Sequence, residues 1–162
     1  MISQDDELYK EVLLDHARHP RNYGVPSHPN VIVESENPQC GDEITLYLIL
    51  SEDHSTISSS HFSGQACAIC TASASMLTTK IRNITLQAAE LTAKQFLSMI
   101  KRPPDAPSAD LSGPLGSLAA LDGVRKFPAR VKCAALPWRA LQQALQQAST
   151  GGGTSSLEIR DE

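Results

Sequence analysis

Ile44-Thr45-Leu46-Tyr47-Leu48-Ile49-Leu50 is a run of β-branched and aliphatic residues with one aromatic, the composition of a well-buried β-strand. Two further strand-like segments flank it, Val31–Glu36 before and Ser55–Phe62 after, and the central strand extends over Glu43–Ser51. The connections between them are short and polar. Parallel strands need crossovers of a dozen or more residues, so these three segments form an antiparallel meander. Ahead of them, Asp6 to Arg18 reads as an amphipathic helix with Leu8 and Val12 one turn apart, ended by His19-Pro20 and Gly24. From Cys67 onward the pattern turns helical. Ala68–Asn83 is rich in Ala, Met and Leu; Thr92–Lys101 carries Phe96, Leu97 and Ile100 at helical spacing and is stopped by Pro103-Pro104. A short helix is expected at Leu118–Leu121, and a last one from about Pro128 towards Ala148, with Pro137 predicting a kink or a late restart. Helix, three strands, then helices gives an α+β domain: a small three-stranded antiparallel sheet packed with helices. Residues 1–148 make one domain, and Gly151-Gly152-Gly153 opens a tail, 149–162, expected to be disordered.

The chain has 162 residues, the usual size of one domain, and 41% hydrophobic residues, enough for a packed interior. Only 4% are aromatic, so the core must rest on Leu, Ile, Val and Ala. A formal net charge of −4 offers no general attraction to phosphate backbones and argues against nucleic acid as a partner. No apolar run reaches the ~20 residues that cross a bilayer, and Met1-Ile2-Ser3-Gln4-Asp5-Asp6-Glu7 is acidic where a secretory signal is basic. These readings predict a cytoplasmic protein without a membrane partner. In that reducing compartment, four cysteines point to metal or thiol chemistry more than to disulfides.

The cysteines stand in three places: Cys40-Gly41-Asp42, Cys67 with Cys70, and Cys133. Gly41 permits a sharp turn, so Cys40 and Asp42 can address one centre. Cys67 opens a helix, where free N–H groups and the helix dipole favour thiolate over thiol, and Cys133 stands near the start of the last helix. Three thiolates and a carboxylate would complete a tetrahedral zinc site. Such a site carries a formal excess of two negative charges, which Arg125, Lys126, Arg130 and Lys132 could offset; a solvated basic face is the plainer reading of the same residues. Spacing alone leaves the cysteines open, because free cysteine is often a small buried hydrophobe.

Larger blocks carry more information. Leu8-Tyr9, Asp15-His16 and Pro20-Arg21-Asn22 are followed by Asn37-Pro38-Gln39-Cys40-Gly41-Asp42, then Phe62-Ser63-Gly64-Gln65-Ala66-Cys67-Ala68-Ile69, Ala72-Ser73-Ala74-Ser75-Met76, Gly123-Val124 and Lys126-Phe127-Pro128-Ala129-Arg130-Val131-Lys132-Cys133-Ala134. In this order they resemble the U-type iron–sulfur assembly proteins, over roughly residues 6 to 147. Lys132 stands where the IscU form has histidine, and Pro103–Lys126 matches an insertion of the SufU branch, so the chain resembles that branch. The resemblance implies an IscU/SufU-like fold and zinc held by Cys40, Asp42, Cys67 and Cys133. It also implies sulfur accepted from a SufS-type cysteine desulfurase and passed to the SufBCD machinery. Cys40, on a mobile loop beside Gly41, is the implied sulfur acceptor, with Asp42 as the ligand most easily displaced because carboxylate is the hardest donor of the set. Cys70 and Pro137 depart from the family pattern.

Three other readings compete. A scaffold holding a nascent iron–sulfur cluster would use the same ligands, since thiolates suit both metals; Lys132 in place of histidine favours transfer. A purely structural zinc module is disfavoured by the aspartate, since structural sites are mostly closed Cys/His sets. A Cys67-x-x-Cys70 oxidoreductase lacks the expected βαβ context and leaves Cys40, Asp42 and Cys133 unexplained. None of the five histidines adjoins the cysteine motifs, and His16 and His19 are expected to cap the first helix. Trp138 and Phe127 are expected in the core.

Overall fold

The computed structural model describes residues 4–109 and 113–159, with side chains from Lys10 onward, so the expected apolar role of Leu8 lies outside the described residues. Helix α1 spans Gln4–Arg18. Strands β1 (Val31–Asn37), β2 (Asp42–Leu50) and β3 (Thr56–Gln65) form the expected antiparallel meander, Val33 opposite Leu46 and Leu46 opposite Phe62. Helix α2 (Ala68–Lys80) follows, then a two-residue strand β4 (Ile84–Thr85) and α3 (Leu86–Ile100). A 3-10 helix, Gly116–Lys126, leads into α4 (Pro128–Ser149) and strand β5 (Gly153–Glu158).

The sheet therefore has five strands, not three, in the order β4-β3-β2-β1-β5. Strand β4 extends one edge through a pairing of Ile84 with Ile57. The segment expected to be a disordered tail supplies the other edge: Gly153–Glu158 lies parallel to β1, Thr154 opposite Ile32 and Leu157 opposite Ser35. Backbone hydrogen bonding to β1 supplies what its Gly, Thr and Ser composition lacks. Gln143 of α4 reinforces the edge, donating to Ser155 Oγ at 2.6 Å and Ser156 O at 2.9 Å.

Every second residue of β1 is buried, Val31, Val33, Ser35 and Asn37, while Glu34 points to solvent. That alternation is the period of a strand with one covered face. Helices α2 and α4 supply the cover, and the main core joins Val33, Leu46, Leu48, Ile57, Leu77, Phe96 and Trp138. Each fully buried aliphatic or aromatic side chain of this kind stabilises the fold by about 1.5–3 kcal/mol. Trp138 stacks on Phe96 with ring centroids 4.6 Å apart and donates its indole N–H to Ser73 Oγ at 3.1 Å. Ser73 donates in turn to Ala134 O, tying α2 to α4. Phe127 is instead 61% exposed, because it is the residue at which the chain turns into α4. Pro137 does not interrupt α4, which runs unbroken through it; only the N–H that would have met the carbonyl of Cys133 is lost.

Candidate metal centre

Three segments converge at the end of the sheet where β1 turns into β2. Gly41, at φ +70°, takes the left-handed conformation that closes this turn, and a single backbone bond, Cys40 N–H to Asn37 O at 3.2 Å, spans it. Cys40 is left exposed at the tip, whereas Asp42 opens β2 and is only 1% exposed. Strand β3 runs beside β2 so closely at Gly64 that any Cβ there would strike the carbonyl of Glu43. This approach brings Cys67, two residues beyond β3, against Asp42: the Cys67 N–H donates to Asp42 Oδ1 at 2.8 Å.

Cys40, Asp42 and Cys133 form a group whose ligand atoms all lie within 4.8 Å of one another. Among the described residues the Cys67 sulfur is not in that group; Cys67 adjoins it through its backbone bond to Asp42 and the interaction of its thiol with Cys133. Cys67 is also the N-cap of α2, its Sγ accepting from Cys70 N–H at 3.4 Å. The hydrogen bond from Cys133 does most to bring the Cys67 thiol down, to about 6, against the opposing effect of burial. Cys133 is pushed up, first by that same interaction and then by burial. Both Cys133 and Cys40 point their sulfurs at the carbonyl of Ala129, at 3.8 and 4.0 Å.

This donor set fits a metal ion. Asp42 Oδ2 is buried and has no hydrogen-bond partner, although an unpaired carboxylate oxygen is costly to seal from water. A cation held among the thiols would supply the missing partner.

Of the basic residues expected to balance the charge, Arg130 bonds Cys133 and is raised above its ordinary value chiefly by that contact. Lys132 reaches across from α4 to Gln39 Oε1 at 2.9 Å and so ties the Cys40 turn to the helix. Arg125 is placed elsewhere. Its guanidinium, 5% exposed, bonds both oxygens of Asp122 and the carbonyls of Pro103, Ala106 and Pro107. It staples the loop after α3 and is not a neighbour of the cysteines in this network. His16 is half-buried and bonds Ser75 Oγ at 2.7 Å, joining α1 to α2 where a surface cap was expected. Composition does not reveal either assignment, because both depend on contacts between distant segments.

Cys70 is wholly buried among Ile44, Phe62, Ala74, Cys133 and Leu136, and burial pushes its thiol up. It is therefore poorly suited to redox exchange with Cys67. Its link to Cys67 is through its backbone N–H, which a substitution preserves. Cys70→Ala is expected to keep full metal content and lose about 1 kcal/mol of stability by removing one buried sulfur. Metal analysis and thermal unfolding check this, and loss of metal would make Cys70 a ligand. Asn37, wholly buried opposite Asp42, was not singled out from sequence; the alternating burial of β1, continued to its last residue, is the signal that finds it.

Residues 8–147 match the model of the NifU-like N terminal domain. The zinc-dependent sulfurtransferase SufU of Bacillus subtilis (strain 168) is 39% identical over 146 residues, covering 90% of this chain and 95% of that protein. The iron–sulfur cluster assembly scaffold protein IscU of Streptococcus pyogenes serotype M1 is 31% identical over 160 residues, covering 99% of this chain and 96% of that protein. The crystal structure of FiSufU from Fervidobacterium islandicum AW-1, described as an iron–sulfur cluster assembly scaffold for the SUF system, superposes with a TM-score of 0.74 at 31% identity, over 86% of this chain and 97% of that one. The match runs from α1 into the last turn of α4 and takes in all three cysteine-bearing segments, and the chain belongs to the family of NifU-like N-terminal domains.

Proposed function

We propose that the protein is a zinc-dependent sulfurtransferase of iron–sulfur cluster biogenesis. In this reading it works in the cytoplasm, accepts persulfide sulfur from a SufS-type cysteine desulfurase and passes it to the SufBCD machinery. Cys40, Asp42, Cys67 and Cys133 hold the zinc. The observation that carries the reading is the exposed Cys40 thiol on a glycine turn, grouped with buried Asp42 and Cys133 and adjoined by half-buried Cys67. Bound zinc supplies a Lewis acid that keeps the thiols deprotonated at neutral pH.

The residues then divide the work. Cys67 and Cys133 are anchored on α2 and α4 and stay in place. Cys40 sits exposed at the tip of a turn braced by its backbone bond to Asn37, the Gln39–Lys132 contact and a long contact of its sulfur with Ala129 O, so a partner can reach it. Its thiolate attacks the terminal sulfur of the donor's persulfide. A new S–S bond forms at Cys40, the donor's S–S bond breaks, and the donor cysteine leaves as thiolate. No oxidant or reductant is consumed. Arg130, beside Cys133, offsets part of the anionic charge.

Similarity to IscU supports a second reading, in which the same thiols assemble an iron–sulfur cluster. Purified protein that is colourless with one zinc supports transfer, and brown protein with iron and sulfide supports the scaffold. The decisive test incubates the protein with its desulfurase and cysteine and maps persulfide by mass spectrometry. Cys40→Ala is expected to lose more than roughly tenfold of the persulfide yield, the loss that follows when the attacking nucleophile is removed, with its zinc content measured alongside. Normal yield in that variant would assign the acceptor to another thiol.

A further inference from the structure

Asn37 is 0% exposed, and neither its Nδ2 nor its Oδ1 has a hydrogen-bond partner. Leaving a carboxamide unpaired in the interior weakens a fold, so packing alone favours an apolar residue at this position. The neighbour explains its presence. Asn37 is paired in register with Asp42 on the same buried face of the sheet, where opposite Cβ atoms lie about 4.5–5.5 Å apart. Asp42 Oδ2 is likewise buried and unpartnered, while Oδ1 is taken by the Cys67 N–H. A free donor and a free acceptor thus sit at paired positions and stay unbonded. A carboxylate offers about four lone-pair sites, enough for the Cys67 amide, an ion and one further donor.

We propose that Asn37 is a positioning residue of the metal centre: its carboxamide N–H₂ donates to Asp42 when that carboxylate turns to hold an ion, and fixes its orientation. The proposal rests on Asp42 being a ligand, as read above. Outer hydrogen bonds of this kind orient ligating carboxylates and typically set metal affinity by 10–100-fold. Asn37 also accepts the Cys40 N–H through its backbone carbonyl, so one residue braces Asp42 and begins the turn that carries Cys40.

A double-mutant cycle tests it. Zinc affinity is measured by chelator competition on folded protein for wild type, Asn37→Leu, Asp42→Ala and the double variant. Asn37→Leu is expected to weaken zinc roughly 10–100-fold in the wild-type background and to cause no further loss in the Asp42→Ala background. Equal losses in both backgrounds, or none in either, would overturn the proposal. Asn37→Ala, which adds no bulk, is read through the same cycle should the leucine variant not fold. Wild-type protein that takes no zinc would sink both the ligand reading and this proposal. Protein that takes zinc but accepts no persulfide would sink only the transfer reading.

Discussion

Cys67→Ala and Cys133→Ala are each expected to lose bound zinc and to unfold at a markedly lower temperature than the wild type. Both thiols are fixed by helices, Cys67 as the N-cap of α2 and Cys133 in the second turn of α4, and among the described residues no histidine belongs to the candidate metal group to replace them. The ligands come from segments far apart in sequence, so an ion holding them cross-links the β1–β2 turn to both helices. An ion that binds only the folded chain adds about 2.7 kcal/mol of stability at 100 times its Kd and about 4.1 kcal/mol at 1,000 times. For a domain of this size that corresponds to roughly 10 °C in Tm. Calorimetry with and without a chelator separates the contributions: stripping zinc should lower the wild-type Tm to near that of the variants and leave theirs unchanged. Full zinc retention in both variants would refute the site.

Asp122→Ala is expected to cost about 3–5 kcal/mol, the usual penalty for removing one partner of a buried ion pair. Asp122 is 1% exposed and accepts from Arg125, Arg102 and the Ala109 N–H. Without it, Arg125 keeps only carbonyl partners, its charge uncompensated beneath the loop at Pro103, Ala106 and Pro107. Burial acts to raise the Asp122 carboxyl, but Arg125, Arg102 and the Ala109 N–H outweigh it and hold it below its ordinary value. A depressed carboxyl contributes stability above its unfolded value and loses it as the pH falls through the folded one. The wild-type excess over Asp122→Ala should therefore be full at neutral pH and shrink only below about pH 4, the ordinary carboxylate range. Denaturant midpoints across that range measure it, and a neutral-pH difference under about 1 kcal/mol would show the network to be dispensable.

The meander was legible in the chain because its signals are local. Ile44–Leu50 is a run of β-branched and aliphatic residues, Val31–Glu36 opens with three β-branched ones, and the connections are too short for anything but antiparallel pairing. Helix α2 was legible from its run of Ala, Met and Leu, and α4 from Pro128 at its first turn, a position where the missing N–H costs nothing. Residue type and spacing left the cysteine set open, and the resemblance carried by the longer blocks implied it.

Contacts across the fold made the remaining assignments. Gly153–Glu158 has little strand preference of its own and is a strand because β1 presents an unpaired edge to it. Arg125 and Arg130 are five residues apart and alike in chemistry; one is buried against Asp122 and the other lies beside Cys133, a difference set by how the 3-10 helix and α4 pack. Asn37 reads in the chain as one polar residue before a proline. Only strand register, which sets it opposite Asp42, reveals its unpaired amide, because pairing between strands is a relation between segments that neither segment encodes alone.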